Sequence, residues 1–68
     1  MATKFSLNKL MTGGYMLVSI SDGEVREHIQ SPAWKPVSDY LGRLGMSQTA
    51  LNNVHQEVDT EGNARLVI

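Results

Sequence analysis

Residues 40–54 read YLGRLGMSQTALNNV, a stretch that specifies two helices joined by a tight turn. Gly45 fits the left-handed backbone position that ends many helices. Ser47 is a favourable N-cap for the next helix, because its side-chain oxygen can accept a hydrogen bond from a backbone N–H of the first turn. Met46 lies between them and is placed to pack on Leu51 as a hydrophobic staple. The stretch therefore predicts one helix that ends at the glycine and a second that begins after the serine.

The spacing of apolar residues extends both predicted helices. The first is expected over about residues 36–44, with Pro36 at its start, since the N–H that proline lacks would have no helical partner there. Its apolar stripe has the spacing of an amphipathic helix and consists of Val37, Tyr40, Leu41 and Leu44. The second helix is expected over about residues 48–56. An alternative makes residues 54–58 a strand paired with residues 64–68 across a loop.

Two runs rich in β-forming residues, 15–20 and 25–29, lie upstream of the helices and flank Asp22 and Gly23. An Asp-Gly pair is favoured in the two-residue turn of a β-hairpin. The register that follows pairs Ile20 with Val25, Val18 with Glu27, and Met16 with Ile29.

One face of this hairpin is expected to pack on the core and the other to be wetter, because side chains alternate between faces along a strand. The expected core face carries Met16, Val18, Ile20, Val25 and Ile29, with Glu27 as its only charged residue. The expected wetter face carries Tyr15, Leu17, Ser19, Arg26, His28 and Gln30.

These elements predict an α+β fold, in which a small antiparallel sheet packs against two short helices. The sheet is expected to contain the 15–29 hairpin plus one or two terminal strands. Phe5 and Leu7 alternate with polar residues as in a strand, although the residues after them also suit a helical turn. Residues 64–68 supply the other terminal strand. The 68 residues are expected to form a single domain, 1–68, because the chain has no room for a second core.

Composition restricts what this domain can do. The net charge of −1 and the pI of about 6.0 weigh against nucleic-acid binding driven by electrostatics. The absence of cysteine excludes disulfides and thiolate metal sites. No apolar run approaches the roughly 20 residues of a membrane span, so we expect a cytoplasmic protein without a membrane partner. The core of so small a domain supplies only about 3–5 kcal/mol, which favours a stabilising partner subunit.

The sequence offers little for catalysis or metal binding. His28 and His55 are the only histidines, and they lack the ligand spacing of zinc sites. Residues 59–63 read DTEGN, but the glycine comes fourth rather than sixth as in a calcium loop. The chain contains neither a phosphate-binding glycine motif nor a serine in a nucleophile elbow. We therefore expect no enzyme activity, no cofactor and no bound metal.

Residues 40–54 resemble the helix-turn-helix of phage repressors and Cro-type regulators. Gly45 matches the turn glycine, and the packing positions are matched by Leu44, Met46, Leu51 and Val54. The resemblance implies that the groove-facing residues would be Gln48, Thr49, Asn52 and Asn53. Glutamine and asparagine suit that role because they can bond adenine edges. The chain departs from the family in three ways. Leu41 stands where a small residue is usual, and the second helix has no Lys or Arg. A hairpin also occupies the upstream region where the family has a supporting helix.

Four residues are candidates for contact with a protein partner: Tyr15, Leu17, His28 and Trp34. The first three lie on the expected wetter face of the hairpin. The only tryptophan is either an anchor that packs the corner between sheet and helices or an exposed binding residue. An exposed strand edge would offer another way to bind a chain. We predict a non-catalytic binding or regulatory module that acts through a protein partner or by self-association, for instance as a homodimer, with DNA binding through residues 47–54 as the alternative.

Overall fold

The computed structural model of the protein describes residues 3–68, which form four strands and two helices. The strands are β1 (Lys4–Lys9), β2 (Tyr15–Ser21), β3 (Glu24–Ser31) and β4 (Asn63–Val67), and the helices are α1 (Trp34–Arg43) and α2 (Gln48–Glu61). All strand pairs are antiparallel, in the spatial order β3-β2-β1-β4. The predicted α+β fold is therefore confirmed, with both terminal strands in the sheet.

Both helices pack on one face of the sheet and enclose the core. The largest fully buried side chains come from both layers and are Leu7, Leu17, Val37, Leu41 and Val58. Leu7 lies opposite Leu17 in the register, and β4 adds Ala64 and Leu66 to the same cluster. Within residues 3–68, no helix is both long enough and apolar enough to cross a membrane.

The turn between β2 and β3 has the predicted chemistry. Asp22 and Gly23 have φ angles of 52° and 80°, and two positive values are what a type I′ turn requires. The register that this turn sets is also as predicted, as far as Val18 opposite Glu27. The local sequence is therefore sufficient to specify this end of the hairpin.

α1 begins at Trp34, two residues before the predicted start. Pro36 is its third residue, still in the first turn, where a backbone N–H has no partner within the helix. The helix ends before Gly45, as predicted, and that glycine has a φ of 109°. The N–H of Met46 donates to the carbonyl oxygen of Leu41 at 3.2 Å, the bond of a Schellman motif.

α2 extends to Glu61, five residues beyond its predicted end. Ser47 caps it as predicted, and its Oγ accepts a backbone N–H of the first turn at 3.2 Å. Val58 is fully buried, so the apolar stripe of the helix continues for another turn. Both the predicted end and the alternative strand at residues 54–58 are therefore wrong. The helix ends at Gly62, where φ is 85°.

The faces of the β2–β3 hairpin are the reverse of the prediction. Leu17, predicted to be on the wetter face, is fully buried, and Tyr15 is only 7% exposed. Ile20 and Val25, predicted to be in the core, are 48% and 68% exposed. The helices therefore cover the face that was expected to be wetter.

A β-bulge in β3 also changes the predicted register. The strands pair as predicted up to Val18, but the next pair sets Leu17 opposite Ile29 and leaves His28 as the extra residue. The predicted pair of Met16 with Ile29 is therefore wrong. Because of this shift, Ile29 packs against the helix-side core.

Candidate functional site

The face of the sheet that points away from the helices, here called the open face, is a mixed apolar and polar surface. It consists of alternate residues of all four strands: Lys4, Ser6, Asn8, Met16, Val18, Ile20, Val25, Glu27, Gln30, Asn63, Arg65 and Val67. Ile20, Val25 and Val67 are the most exposed of its apolar side chains, and 61% of Val67 is accessible. Val18 is buried at the centre of this face, outside the helix-side core.

The strand register arranges the open face in three rows that cross the sheet from β3 to β4. The first row is Val25, Ile20, Lys4 and Val67; the middle row is Glu27, Val18, Ser6 and Arg65; the third row is Gln30, Met16, Asn8 and Asn63. In the middle row, an acid lies at one edge and a base at the other. They are three strands apart, about 14 Å, which is too far for a direct ion pair.

A cluster of polar and aromatic side chains, here called the Tyr15 cluster, joins the adjoining ends of β1 and β2 to the helices. Its members are Lys9, Tyr15, Trp34, His55 and Asp59. The Tyr15 hydroxyl donates to Oδ1 of Asp59 at 2.8 Å, and Nε2 of His55 lies 3.1 Å from Oδ2 of the same carboxylate. Nζ of Lys9 lies 3.2 Å from Oδ1. The ring of Trp34 stacks on that of His55 with a centroid separation of 4.2 Å and an interplanar angle of 9°.

The hydrogen bond at the centre of this cluster affects the ionisation of both partners. The bond from Tyr15 lowers the pKa of Asp59 from its ordinary value of 3.8, because it favours the ionised carboxylate; burial opposes this, and Lys9 and His55 add to it. Burial raises the pKa of Tyr15 above its ordinary value of 10.0, and the bond to Asp59 adds to that increase. These contacts hold the adjoining ends of β1 and β2 against the helices.

We expect Tyr15→Phe to flatten the pH dependence of folding at both ends of the range. The contribution of Asp59 is present above its unfolded pKa and is lost as the pH falls through the lowered folded pKa. The contribution of Tyr15 is present below about 10.0 and is lost as the pH rises through its raised folded pKa. Urea unfolding of the parent and the variant across the pH range measures this. Identical pH profiles of the two proteins would contradict the proposed coupling.

A second group of hydrogen-bonded polar side chains lies at the bulge. Nε2 of His28 is 2.7 Å from Oγ of Ser19, and its Nδ1 is 2.9 Å from the hydroxyl of Tyr40. The ring of Phe5 contacts the imidazole edge-on at a centroid distance of 5.3 Å. A serine beside a histidine is also the pairing of a nucleophile with its base. Here Ser19 is buried, and the chain of bonds links β2, β3 and α1, so its evident role is structural.

The four residues implied by the helix-turn-helix resemblance all lie on the exposed side of α2. These are Gln48, Thr49, Asn52 and Asn53. Nε2 of Gln48 donates to Oδ1 of Asn52 at 3.1 Å. α2 contains three acidic residues and no Lys or Arg. These polar side chains are therefore accessible, on a helix whose own charge is negative.

The four partner-contact candidates do not form one accessible surface in the structure. Leu17 and Tyr15 are buried beneath the helices, so the folded domain does not offer them to a partner. His28 and Trp34 are half-buried and make the contacts described above, of which the stack on His55 fits the anchor interpretation of the tryptophan. Contact of these two residues with a partner stays a prediction.

Sequence reasoning did not identify the open face or the two polar clusters. The bonds from Tyr15 to Asp59 and from Lys9 to Asp59 join residues 44 and 50 positions apart, and no local pattern indicates such contacts. The exposed Val25 and Ile20 were recognised as one face, but they were assigned to the core. The only available signal was the presence of apolar residues on both faces of the hairpin.

Within residues 3–68, no group of three or more His, Asp or Glu side chains is arranged to hold a metal ion. No family model matches the chain, and no curated protein and no solved structure matches it with statistical significance.

Proposed function

We propose that this chain is a small non-catalytic binding module and that its open face is the surface that binds a protein partner. The observation that supports this most directly is the exposure of Ile20, Val25 and Val67 on a sheet face that lies opposite the helices. Ile20 and Val25 are paired neighbours, and Val67 lies beyond Lys4 in the same row. Exposed apolar groups among polar residues are typical of protein interaction sites.

The energetics favour contact with protein through this face. Each Å² of apolar surface removed from water contributes about 25 cal/mol, and the three exposed branched side chains are available for this. Lys4, between Ile20 and Val67, and Glu27 and Arg65 in the next row give the patch polar neighbours of both charge signs. Charges of both signs suit a protein surface better than a polyanion.

The sheet edges fit a binding role less well than its face. β3 contains a bulge at one edge of the sheet, and β4 at the other edge is only five residues long. Bulges and short strands are devices by which edges avoid pairing with another chain. Side-chain contact across the face is therefore the mode of binding that we propose.

Photo-crosslinking in cells that produce the protein tests this function. A photoreactive residue in place of Ile20 should yield adducts with a polypeptide, because this position lies within the open face. The same residue in place of Gln56, exposed on α2, is the matched control. Val25→Lys and Val67→Lys should each abolish the Ile20 adducts, since both place a charge in the patch. Equal adducts from both positions, or none from Ile20, would contradict the proposal.

A second candidate function is DNA binding through residues 47–54. It is favoured by the exposure of all four groove-facing candidates, Gln48, Thr49, Asn52 and Asn53. A gel-shift experiment with mixed genomic DNA at low salt is the test. If DNA binds, the complex should weaken as salt rises, because counterions are released on binding. Failure to bind at low salt would eliminate this candidate.

A further inference from the structure

We propose that the partner on the open face is a second copy of this chain, packed face to face about a two-fold axis parallel to the strands. The inference rests on the proposed function and adds the identity and orientation of the partner. It follows from the order of residues within the three rows of the open face.

A two-fold axis that lies between two sheets and runs along their strands has a simple geometric consequence. Rotation about this axis reverses the order of the strands across the sheet but preserves the position of each residue along its strand. β3 of one copy therefore lies over β4 of the second copy, and β2 lies over β1, given the order β3-β2-β1-β4. Each row of the open face consequently meets the same row of the second copy in reverse.

The middle row is complementary to its own reverse. Glu27 lies over Arg65 of the second copy, and symmetry repeats this pair on the other side. Val18 and Ser6 lie between the two pairs. Two ion pairs therefore flank a small, uncharged centre, an arrangement that fixes the orientation of a self-complementary interface.

The ends of the outer rows match as well. Val25 lies over Val67 of the second copy, so two of the most exposed apolar side chains on this face cover each other. In the third row, Gln30 lies over Asn63 of the second copy, which pairs amide with amide. Between these outer pairs, Ile20 lies over Lys4 of the second copy and Met16 lies over Asn8, so these two apolar side chains meet polar residues, of which the lysine offers its methylene stem.

The other in-plane axis, perpendicular to the strands, gives a poor match. It places each strand over the same strand of the second copy, so that Glu27 meets Glu27 and Arg65 meets Arg65. It also sets Val25 over Gln30. Like charges placed opposite each other disfavour an interface. The charge pattern therefore selects the axis that runs along the strands.

The usual rotation between packed sheets is compatible with this pairing. Sheets that pack face to face are rotated by about 30°, which moves opposing residues of the edge strands apart by about 4 Å. The long side chain of Arg65 can span that displacement. Four strands of about six residues cover about 400 Å² per copy, below the roughly 800 Å² per partner of a standard interface. The dimer is therefore expected to be weak and concentration-dependent.

Sedimentation equilibrium of the purified full chain, from micromolar to millimolar concentration, tests the proposal. The parent should change from the 7.5 kDa monomer to a species of twice that mass. Glu27→Arg and Arg65→Glu should each weaken dimerisation at least about tenfold, because each places like charges opposite each other twice. The double variant should dimerise like the parent. Glu57→Arg, on the exposed side of α2, is the matched control and should not change dimerisation.

An equimolar mixture of the two single variants gives the sharpest result. In the mixed dimer, one ion pair forms with reversed polarity between the two substituted positions, and the other forms between the unsubstituted Arg65 and Glu27. The mixture should therefore form a heterodimer, although each variant alone dimerises at least about tenfold more weakly than the parent. A folding defect cannot produce this rescue. A parent that stays monomeric, or single variants that dimerise like the parent, would overturn the proposal. If the purified parent is monomeric but Ile20 still crosslinks to another polypeptide, the binding function stands and only the second-copy assignment fails.

Discussion

Leu17→Ala is expected to lower the free energy of unfolding by about 2–5 kcal/mol, the range measured for leucine deletions in packed cores. Leu17 is fully buried between the helices and the central strands, opposite the equally buried Leu7. The loss combines the removed apolar contact with a cavity that the surroundings fill only in part. A domain of this size has only about 3–5 kcal/mol of net stability, so the variant should be largely unfolded at physiological temperature.

Ile20→Ala is the matched control, three residues along the same strand. Ile20 is on the open face and half of its side chain is already in water, so its truncation should lower stability by less than about 1 kcal/mol. Urea denaturation followed by the fluorescence of Trp34, the only tryptophan, measures both variants. Low protein concentration keeps self-association out of the comparison. A larger loss from Ile20→Ala than from Leu17→Ala would contradict the observed assignment of the two faces.

This pair of residues also shows where sequence reasoning reached its limit. Within the hairpin, alternation favours the wrong face, because the predicted core face carries five apolar residues and the other carries only Tyr15 and Leu17. The selection is made by strands distant in sequence. Leu7 of β1 pairs opposite Leu17, and Ala64 of β4 extends the same row, so the helices cover that side.

Features with a local chemical cause were predictable. Gly45 ends α1 and Ser47 caps α2 as predicted, and Asp22 with Gly23 forms the predicted turn. The end of α2 was missed because the stretch before Gly62 is polar and reads as a loop. Val58 lies one turn beyond Val54, and its burial against the sheet offsets the weak helix preference of the residues around it.

The candidate binding surface was less predictable than the fold. The placement of Glu27 and Arg65 at opposite ends of the middle row depends on the pairing of β1 with both β2 and β4. Those pairings bring together residues that are up to about sixty positions apart, and a pattern of two or three neighbouring residues carries no information about them. The sequence therefore predicted a protein partner or self-association from small size, the wetter hairpin face and a possible strand edge, without the face that we propose for it.

Gly14→Ala is expected to lower the free energy of unfolding by about 1–3 kcal/mol, a typical penalty for forcing an extra carbon into packed structure. A Cβ at Gly14 would lie 2.7 Å from the carbonyl oxygen of Ser31 and 3.2 Å from Cα of Pro32. Both obstacles are backbone atoms, so a side-chain rotation cannot relieve the contact. The strain falls where β2 begins beside the end of β3, next to the pair of Tyr15 with Ser31.

Gly42→Ala is the control for this prediction and should have the opposite sign. Gly42 lies within α1, and a Cβ there would meet nothing within 4 Å. Alanine is favoured over glycine in a helix interior by about 1 kcal/mol, which should raise stability by up to that amount. Thermal unfolding of both variants measures the two changes in stability. Equal effects of the two substitutions would show that conformational freedom, rather than the contact with Ser31, is what glycine contributes at position 14.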